Sequence, residues 1–221
     1  MINSNSTEKK IRLLLVDDHK ILRDGLKQAI ALEKDMALVG EADNGREALV
    51  IAGETQPDVI IMDVSMPDLN GIEASRQIIK NHPDQKIIAL SMHDDKRYVM
   101  GMFKAGVSGY LLKTNAFEHL AEAVRQVAAG HSYISSNVAG TLIRSALDHE
   151  GAPDEAEELS SREIEILQLI AEGKNTEYMA DILHISKRTV ENHRRNLRKK
   201  LKLDTTAELT RYAIKKGIIS L

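Results

Sequence analysis

At 221 residues, 43% apolar and 29% charged, the chain has the composition of a soluble globular protein and the length of two domains. Its apolar runs stop at four or five residues and it has no cysteine, which excludes a membrane-spanning helix, a disulfide, thiol catalysis and a thiolate metal site. The net charge of −3 is uneven: −2 over residues 1–147, −6 over 148–158 and +5 over 159–221, a mildly acidic body, an acidic connector and a basic tail suited to nucleic acid.

Residues 1–10 read as a polar, flexible tail without the apolar core of a signal peptide, so a cytoplasmic protein without membrane contact is expected. Ile11–Val16 is an apolar strand closed by Asp17 and Asp18, and Lys20–Glu33 carries Leu22, Leu26, Ala29 and Ile30 at helical spacing. Met36–Ala42 is the next strand, and Asn44 is placed to cap the helix that follows. Val59–Met62 is an unbroken apolar run, as in strands buried on both faces, and it delivers Asp63 to its carboxyl end. Pro67, Asp68, Asn70 and Gly71 turn the chain into a helix over Ile72–Lys80. Lys86–Leu90 is a fourth strand ending in Ser91. A helix capped by Asp94 or Asp95 runs to Ala105 and stops at Gly106. Val107–Leu112 is the fifth strand, ending in Lys113, and Ala116–Ala129 is its helix.

Five strands alternating with five helices predict an α/β domain over 11–130, a parallel flavodoxin-like sheet covered on both faces. All strands of such a sheet end on one edge, so Asp17, Asp18, Asp63, Ser91 and Lys113 converge there, where open α/β sheets place ligands. Residues 131–158 read as one connecting helix, with Val138, Leu142, Ile143 and Leu147, followed by an acidic linker over Asp148–Glu158. Residues 159–221 form a small all-α domain of four helices: Arg162–Ala171 behind a Ser160/Glu163 capping box, Thr176–Leu183, Lys187–Leu201 and Ala207–Lys216.

Three carboxylates on one edge repel each other unless a cation is bound, and an oxygen-only donor set suits Mg²⁺. Lys113 adds a second positive charge and Ser91 a hydroxyl donor. Nucleophile, metal, countercharge and donor are the parts an acyl-phosphate needs. The motifs at these strand ends, Asp17–Asp18, MDVSMPDLNG, LSMHDD and AGVSGYLLK, resemble those of a two-component receiver domain, in order, over residues 11–130. The resemblance implies that Asp63 accepts phosphate from a histidine kinase. It also implies Asp18 as a direct Mg²⁺ ligand, Asp17 acting through water, the Ser65 backbone carbonyl as a further ligand, Ser91 and Tyr110 as the switch pair, and Lys113 as phosphate contact. On phosphorylation Ser91 is expected to move and Tyr110 to rotate into the space it leaves, changing the face of the fourth helix, fifth strand and fifth helix. By its spacing alone Tyr110 reads equally as an edge-strand aromatic with its hydroxyl in water. Thr114 follows Lys113 where many receivers carry proline, which leaves the isomer of that peptide bond open; a cis bond there costs ~2.5–4 kcal/mol.

In the tail, Lys187–Leu201 turns Val190, Leu197 and Leu201 to one face, while seven basic residues, Lys187, Arg188, Arg194, Arg195, Arg198, Lys199 and Lys200, accompany one acid, Glu191. A tight turn at His184–Ser186 joins it to the preceding helix, which makes a helix-turn-helix. The segment LSSREIEILQLIAEGKN…ADILHISKRTVENHRRNLRKKL resembles LuxR-type DNA-binding domains over 159–221. Both halves together resemble the NarL/FixJ family of response regulators. That resemblance implies base contacts from Glu191, Asn192 and Arg195, backbone contacts from Lys187, Arg188, Thr189, His193 and Arg194, and a dimer contact through the last helix, with Leu209, Tyr212 and Ala213. His184 stands where a glycine or similar small residue is common at the turn, and histidine tolerates the left-handed conformation better than most residues.

Expected partners are a histidine kinase, double-stranded DNA and a second copy of the chain, at least when phosphorylated or DNA-bound. The expected function is regulation rather than enzymatic turnover. An aspartyl-nucleophile phosphohydrolase would want an acid two residues after the nucleophile, where this chain has Ser65. A flavodoxin-like electron carrier is disfavoured because Asp17 and Asp18 would repel the flavin phosphate.

Overall fold

The computed structural model describes residues 9–147 and 159–220. The first segment runs β1 (Ile11–Val16), α1 (Lys20–Leu32), β2 (Met36–Ala42), α2 (Gly45–Thr55), β3 (Val59–Asp63), α3 (Gly71–Asn81), β4 (Lys86–Ser91), α4 (Lys96–Lys104) and β5 (Gly109–Leu112). A 3₁₀ turn at Lys113–Asn115, α5 (Ala116–Ala128), β6 (Tyr133–Ile134) and α6 (Ser136–Leu147) complete it. The second segment holds α7 (Ser161–Ala171), α8 (Thr176–Ile182), α9 (Lys187–Leu201) and α10 (Thr206–Lys215). The expected linker, Asp148–Glu158, lies outside the described residues, as does most of the expected N-terminal tail.

All strand pairings are parallel, in the order β2-β1-β3-β4-β5-β6. The alternation of β3 explains its apolar run: Ile60 and Met62 join the core under α2, α3 and α4, while Val59 and Ile61 join the core under α1 and α5. Each face is a separate hydrophobic layer, so β3 has no polar side until it reaches the carboxyl edge at Asp63. The sixth strand corrects the five expected. It is two residues long, pairing Gly109 with Tyr133 and Tyr110 with Ile134, too short to carry a period.

Local signals set the helix ends. Asn44, Asn70 and Asp95 cap α2, α3 and α4 by accepting from backbone N–H groups. Gly106 and Gly130 take positive φ after α4 and α5. Ser160 with Glu163 and Thr205 with Glu208 form capping boxes on α7 and α10. His184 takes φ 51° in the turn before α9, the left-handed conformation a glycine would fill there. Ile166, Leu169, Ile170, Val190, Leu197, Leu209 and Ala213 close the small core of the helical domain. Among the described residues no helix is long and apolar enough to cross a membrane.

Candidate functional site

Asp63 is the last residue of β3, 2% exposed, with its neighbours supplied by the ends of other strands. Lys113 follows β5 and reaches back across the edge, its Nζ 2.7 Å from Asp63 Oδ2 and 2.7 Å from Asp17 Oδ2. The first contact is a hydrogen bond and the second a close ion pair to the buried Asp17 Oδ2. The Ser65 N–H donates to Asp63 Oδ1 at 3.2 Å. Asp17 is fully buried, while Asp18 stands exposed at the rim.

Gly71 sets how closely the chain can pass behind Asp63. A Cβ at Gly71 would lie 1.9 Å from the Asp63 carbonyl oxygen, and the Gly71 N–H bonds Val64 O at 3.0 Å. The start of α3 is thus pressed against the backbone of the central aspartate, which only glycine permits.

Burial pushes the Asp63 carboxyl up to about 7; Lys113 opposes that shift and Asp17 adds to it. Burial works against the charge on Lys113, but attraction to Asp63 and Asp17 outweighs it and raises its pKa. The pair is held together by charge in a place where each charge alone is costly.

The carboxylates of Asp17, Asp18 and Asp63 and the imidazole of His19 present one ligand atom each within 4.8 Å of one another. His19 Nδ1 is 2.8 Å from Asp18 Oδ1 and 3.2 Å from Asp17 Oδ1. Three hard oxygen donors so close together fit a small divalent cation such as Mg²⁺. His19 was not among the candidates read from sequence, where it is one of eight histidines without ligand spacing.

Ser91 is buried at the end of β4, beside the Asp63 strand, and its Oγ accepts the His93 N–H at 3.0 Å. Tyr110 is fully buried, with its hydroxyl donating to the His93 carbonyl at 2.7 Å. This differs from the reading of Tyr110 as an edge-strand aromatic with its hydroxyl in water: it packs inward, near Phe103, and β6 removes β5 from the sheet edge. The Lys113–Thr114 bond is trans, as are the other described peptide bonds.

In the helical domain, Lys187, Arg188, Glu191, Asn192 and Arg195 are exposed along α9; Thr189, His193 and Arg194 are half-buried. Lys187 pairs with Glu177 at 2.6 Å, Arg195 bonds Asn192 at 3.0 Å, and Arg194 reaches Thr176 and Glu191. In α10, Leu209 and Ala213 are fully buried in the domain's own core, with Tyr212 packed against it. Those two side chains therefore serve the fold rather than an outward face.

A polar seam between the domains also escaped the sequence reading. Gln168 Nε2 donates to Met66 O at 2.9 Å and its Oε1 accepts the Asn70 N–H at 2.9 Å. Asn70 Nδ2 donates to Ile218 O at 2.9 Å, and Glu172 accepts the Asp68 N–H at 3.1 Å. Arg46 and Gln77 both bond Glu165 at 2.9 Å, and the Tyr178 hydroxyl donates to Asp68. Glu165 and Gln168 of α7 and Glu172 at its C-cap are a polar stripe spaced three and four apart, a pattern usually read as a solvated face.

Comparison with known proteins agrees with this geometry. Residues 13–125 match the response regulator receiver domain, and residues 157–213 match the bacterial regulatory proteins of the luxR family. The chain is 36% identical to the transcriptional regulatory protein DegU of Brevibacillus brevis, covering 98% of both chains. It is 36% identical to the oxygen regulatory protein NreC of Staphylococcus carnosus, over 95% of this chain and 99% of that one. A two-component response regulator of the LuxR family from Aurantimonas superposes with a TM-score of 0.60 and 32% identity, covering 63% of this chain and 100% of that one.

Proposed function

We propose, from the premise that this chain belongs to the NarL/FixJ family of two-component response regulators, that Asp63 accepts a phosphoryl group from a partner histidine kinase and thereby controls dimerisation and sequence-specific DNA binding. It works in the cytoplasm, and is a homodimer at least when phosphorylated or bound to double-stranded DNA. The observation that carries this reading is Lys113 Nζ set 2.7 Å from Asp63 Oδ2 in a buried pocket. A lysine so placed neutralises the carboxylate at rest and meets a phosphoryl oxygen when one arrives.

The Asp63 carboxylate attacks phosphorus, a P–O bond forms, and the P–N bond to the donor histidine breaks with its electron pair returning to the ring. Lys113 moves its charge from the carboxylate to the transferred group, and the Ser91 hydroxyl donates to a phosphoryl oxygen. The Ser65 N–H steadies the carboxylate oxygen it already bonds. Mg²⁺ held by Asp17, Asp18 and Asp63, with the Ser65 carbonyl, would supply positive charge against the phosphoryl oxygens.

On the output side, Glu191, Asn192 and Arg195 read base edges, since Glu accepts from cytosine, Asn clamps adenine and Arg clamps guanine. Lys187, Arg188, Thr189, His193 and Arg194 hold the phosphate backbone. The exposure of Lys187, Arg188, Glu191, Asn192 and Arg195 along α9 supports the reading of this helix as the one that meets DNA.

Incubation with acetyl phosphate and Mg²⁺, read by intact mass, should add one phosphoryl group to the wild type and none to Asp63→Asn. Equal labelling of that variant would remove Asp63 from its role, and an unlabelled wild type would contradict the phosphoacceptor reading altogether.

A further inference from the structure

The first turn of α8 reaches across to α9 twice, and the two contacts differ in kind. Glu177 meets Lys187 as an ion pair at 2.6 Å, with the side chains 68% and 61% exposed. Water screens such a pair, so Lys187 is readily given up to a DNA phosphate.

Thr176 makes the second contact, and it is a closed triangle. Its hydroxyl donates to Glu191 Oε1 at 2.6 Å and accepts from Arg194 Nη1 at 3.0 Å. The same guanidinium nitrogen lies 3.4 Å from Glu191 Oε1. Because Arg194 donates to the hydroxyl oxygen, the hydroxyl hydrogen is left for the carboxylate, and 2.6 Å is the length of a charge-assisted bond. Among the described residues no hydrogen bond reaches Glu191 Oε2, so one oxygen is held and the other remains open.

The threonine stands on a fixed base. Its helix is capped by Asn175, whose side chain accepts the Tyr178 N–H at 2.8 Å, and Met179 and Ala180 bury that helix in the domain core. Val190 and Leu197 root α9 in the same core. Threonine has one side-chain torsion between carbon atoms, stiffened by branching at Cβ, whereas glutamate loses far more rotamer freedom when ordered. Packing sets the distance between the two helices, and Thr176 converts it into one orientation of a 58% exposed side chain.

An acid facing DNA is repelled by phosphate and contributes to binding only where a base amino group donates to it. Arg194 offsets part of that repulsion and, with five N–H donors, keeps others for the DNA backbone. We propose that Thr176, from outside α9, is a specificity-determining residue: it positions the Glu191 carboxylate to accept from an exocyclic amino group in the major groove, cytosine N4 above all. This rests on the reading of α9 as the helix that meets DNA, and adds to it a residue on another helix. Ordering the glutamate beforehand removes rotamer cost from binding the matching base. A carboxylate that cannot swing aside also meets the acceptor atoms of a wrong base directly, which penalises the mismatch.

The test is selection from a randomised duplex library by the full chain with beryllofluoride and Mg²⁺, then affinities for the selected duplex and its single-base variants. Wild type should favour cytosine at one position, and Glu191→Ala should lose that preference, by roughly fivefold or more, while keeping the others. Thr176→Val keeps the branched shape and loses the hydroxyl. It should weaken the preference at that same position by roughly two- to tenfold, and Thr176→Ser should restore it. A merely structural threonine would leave the preference in place. Glu177→Gln, which frees Lys187, should raise affinity for every duplex alike and leave the cytosine preference intact. An unchanged preference in Thr176→Val overturns the proposal, as does a loss spread evenly over all positions, which would make Thr176 a phosphate contact. A cytosine preference lost in Glu177→Gln as well would make any change in that turn sufficient, and would equally overturn it. If Glu191→Ala keeps the full preference, Glu191 reads no base, and the positioning role falls while the DNA reading of α9 stands. A wild type that selects no sequence overturns both.

Discussion

Lys113→Ala should lower stability at pH 8 by roughly 3–5 kcal/mol, the cost of leaving buried charge without its partner, and should abolish the response to phosphorylation. Two carboxylates depend on this one amine, at 2.7 Å each, and Asp17 is fully buried beside Asp63. The loss should be pH-dependent in a specific direction. Burial raises the folded-state pKa of Asp63 to about 7 from an ordinary 3.8, so between those values the folded protein binds a proton that the unfolded chain has released. Stability from that group is therefore full below the lower value and is lost as pH rises through the upper one. Lys113 opposes the upward shift, so its removal extends the window to still higher pH. Thermal unfolding of wild type and Lys113→Ala should show a wide gap at pH 8 and a narrower one at pH 5. A gap that widens on acidification would contradict the electrostatic account of the site.

Gly71→Ala should be nearly as damaging, costing roughly 3 kcal/mol or more through overpacking. The added carbon would meet the Asp63 carbonyl oxygen at 1.9 Å, an atom of the backbone that cannot swing aside. Either α3 moves away or the end of β3 does, and both displace the nucleophile. A shift of 1 Å in a reacting group costs on the order of a hundredfold in rate, so labelling by acetyl phosphate should slow by about that factor even in the fraction that folds. Gly53→Ala is the control. It lies within α2 with nothing inside 4 Å of the added carbon, and should stabilise by about 0.5–1 kcal/mol. Similar effects at the two positions would remove close approach as the reason for glycine at 71.

The sheet domain was legible because its strands are buried on both faces and its polar residues are confined to their ends. β1 and β2 have the bounds read from sequence, and α9 spans Lys187–Leu201 as its apolar stripe indicates. The convergence of Asp17, Asp63 and Lys113 followed from parallel topology alone. β6 was missed because two residues carry no period. Spacing left Tyr110 equally readable as an edge-strand aromatic with its hydroxyl in water, because the short β6 that covers β5 was not visible. The seam was invisible for another reason: Gln168 and Asn70 bond backbone groups of the opposite domain, and backbone partners leave no complementary side chain to find. The resemblance gives the last helix, with Leu209 and Ala213, to a dimer contact, and completion of the small core is compatible with that; these two side chains lie in the core under α7.

The central claim is that chemistry at Asp63 controls binding of DNA by α9. Its most direct test is the affinity for a DNA duplex carrying two half-sites, measured at fixed salt with and without beryllofluoride and Mg²⁺, for wild type and Asp63→Asn. Fixed salt is essential because each phosphate neutralised makes the affinity salt-dependent. Wild type should bind more tightly with beryllofluoride, by roughly tenfold or more, the scale of a coupling free energy of 1–3 kcal/mol, and Asp63→Asn should bind at the resting affinity in both conditions. Equal affinity of the wild type with and without beryllofluoride, or an Asp63→Asn variant that responds like the wild type, would contradict the account.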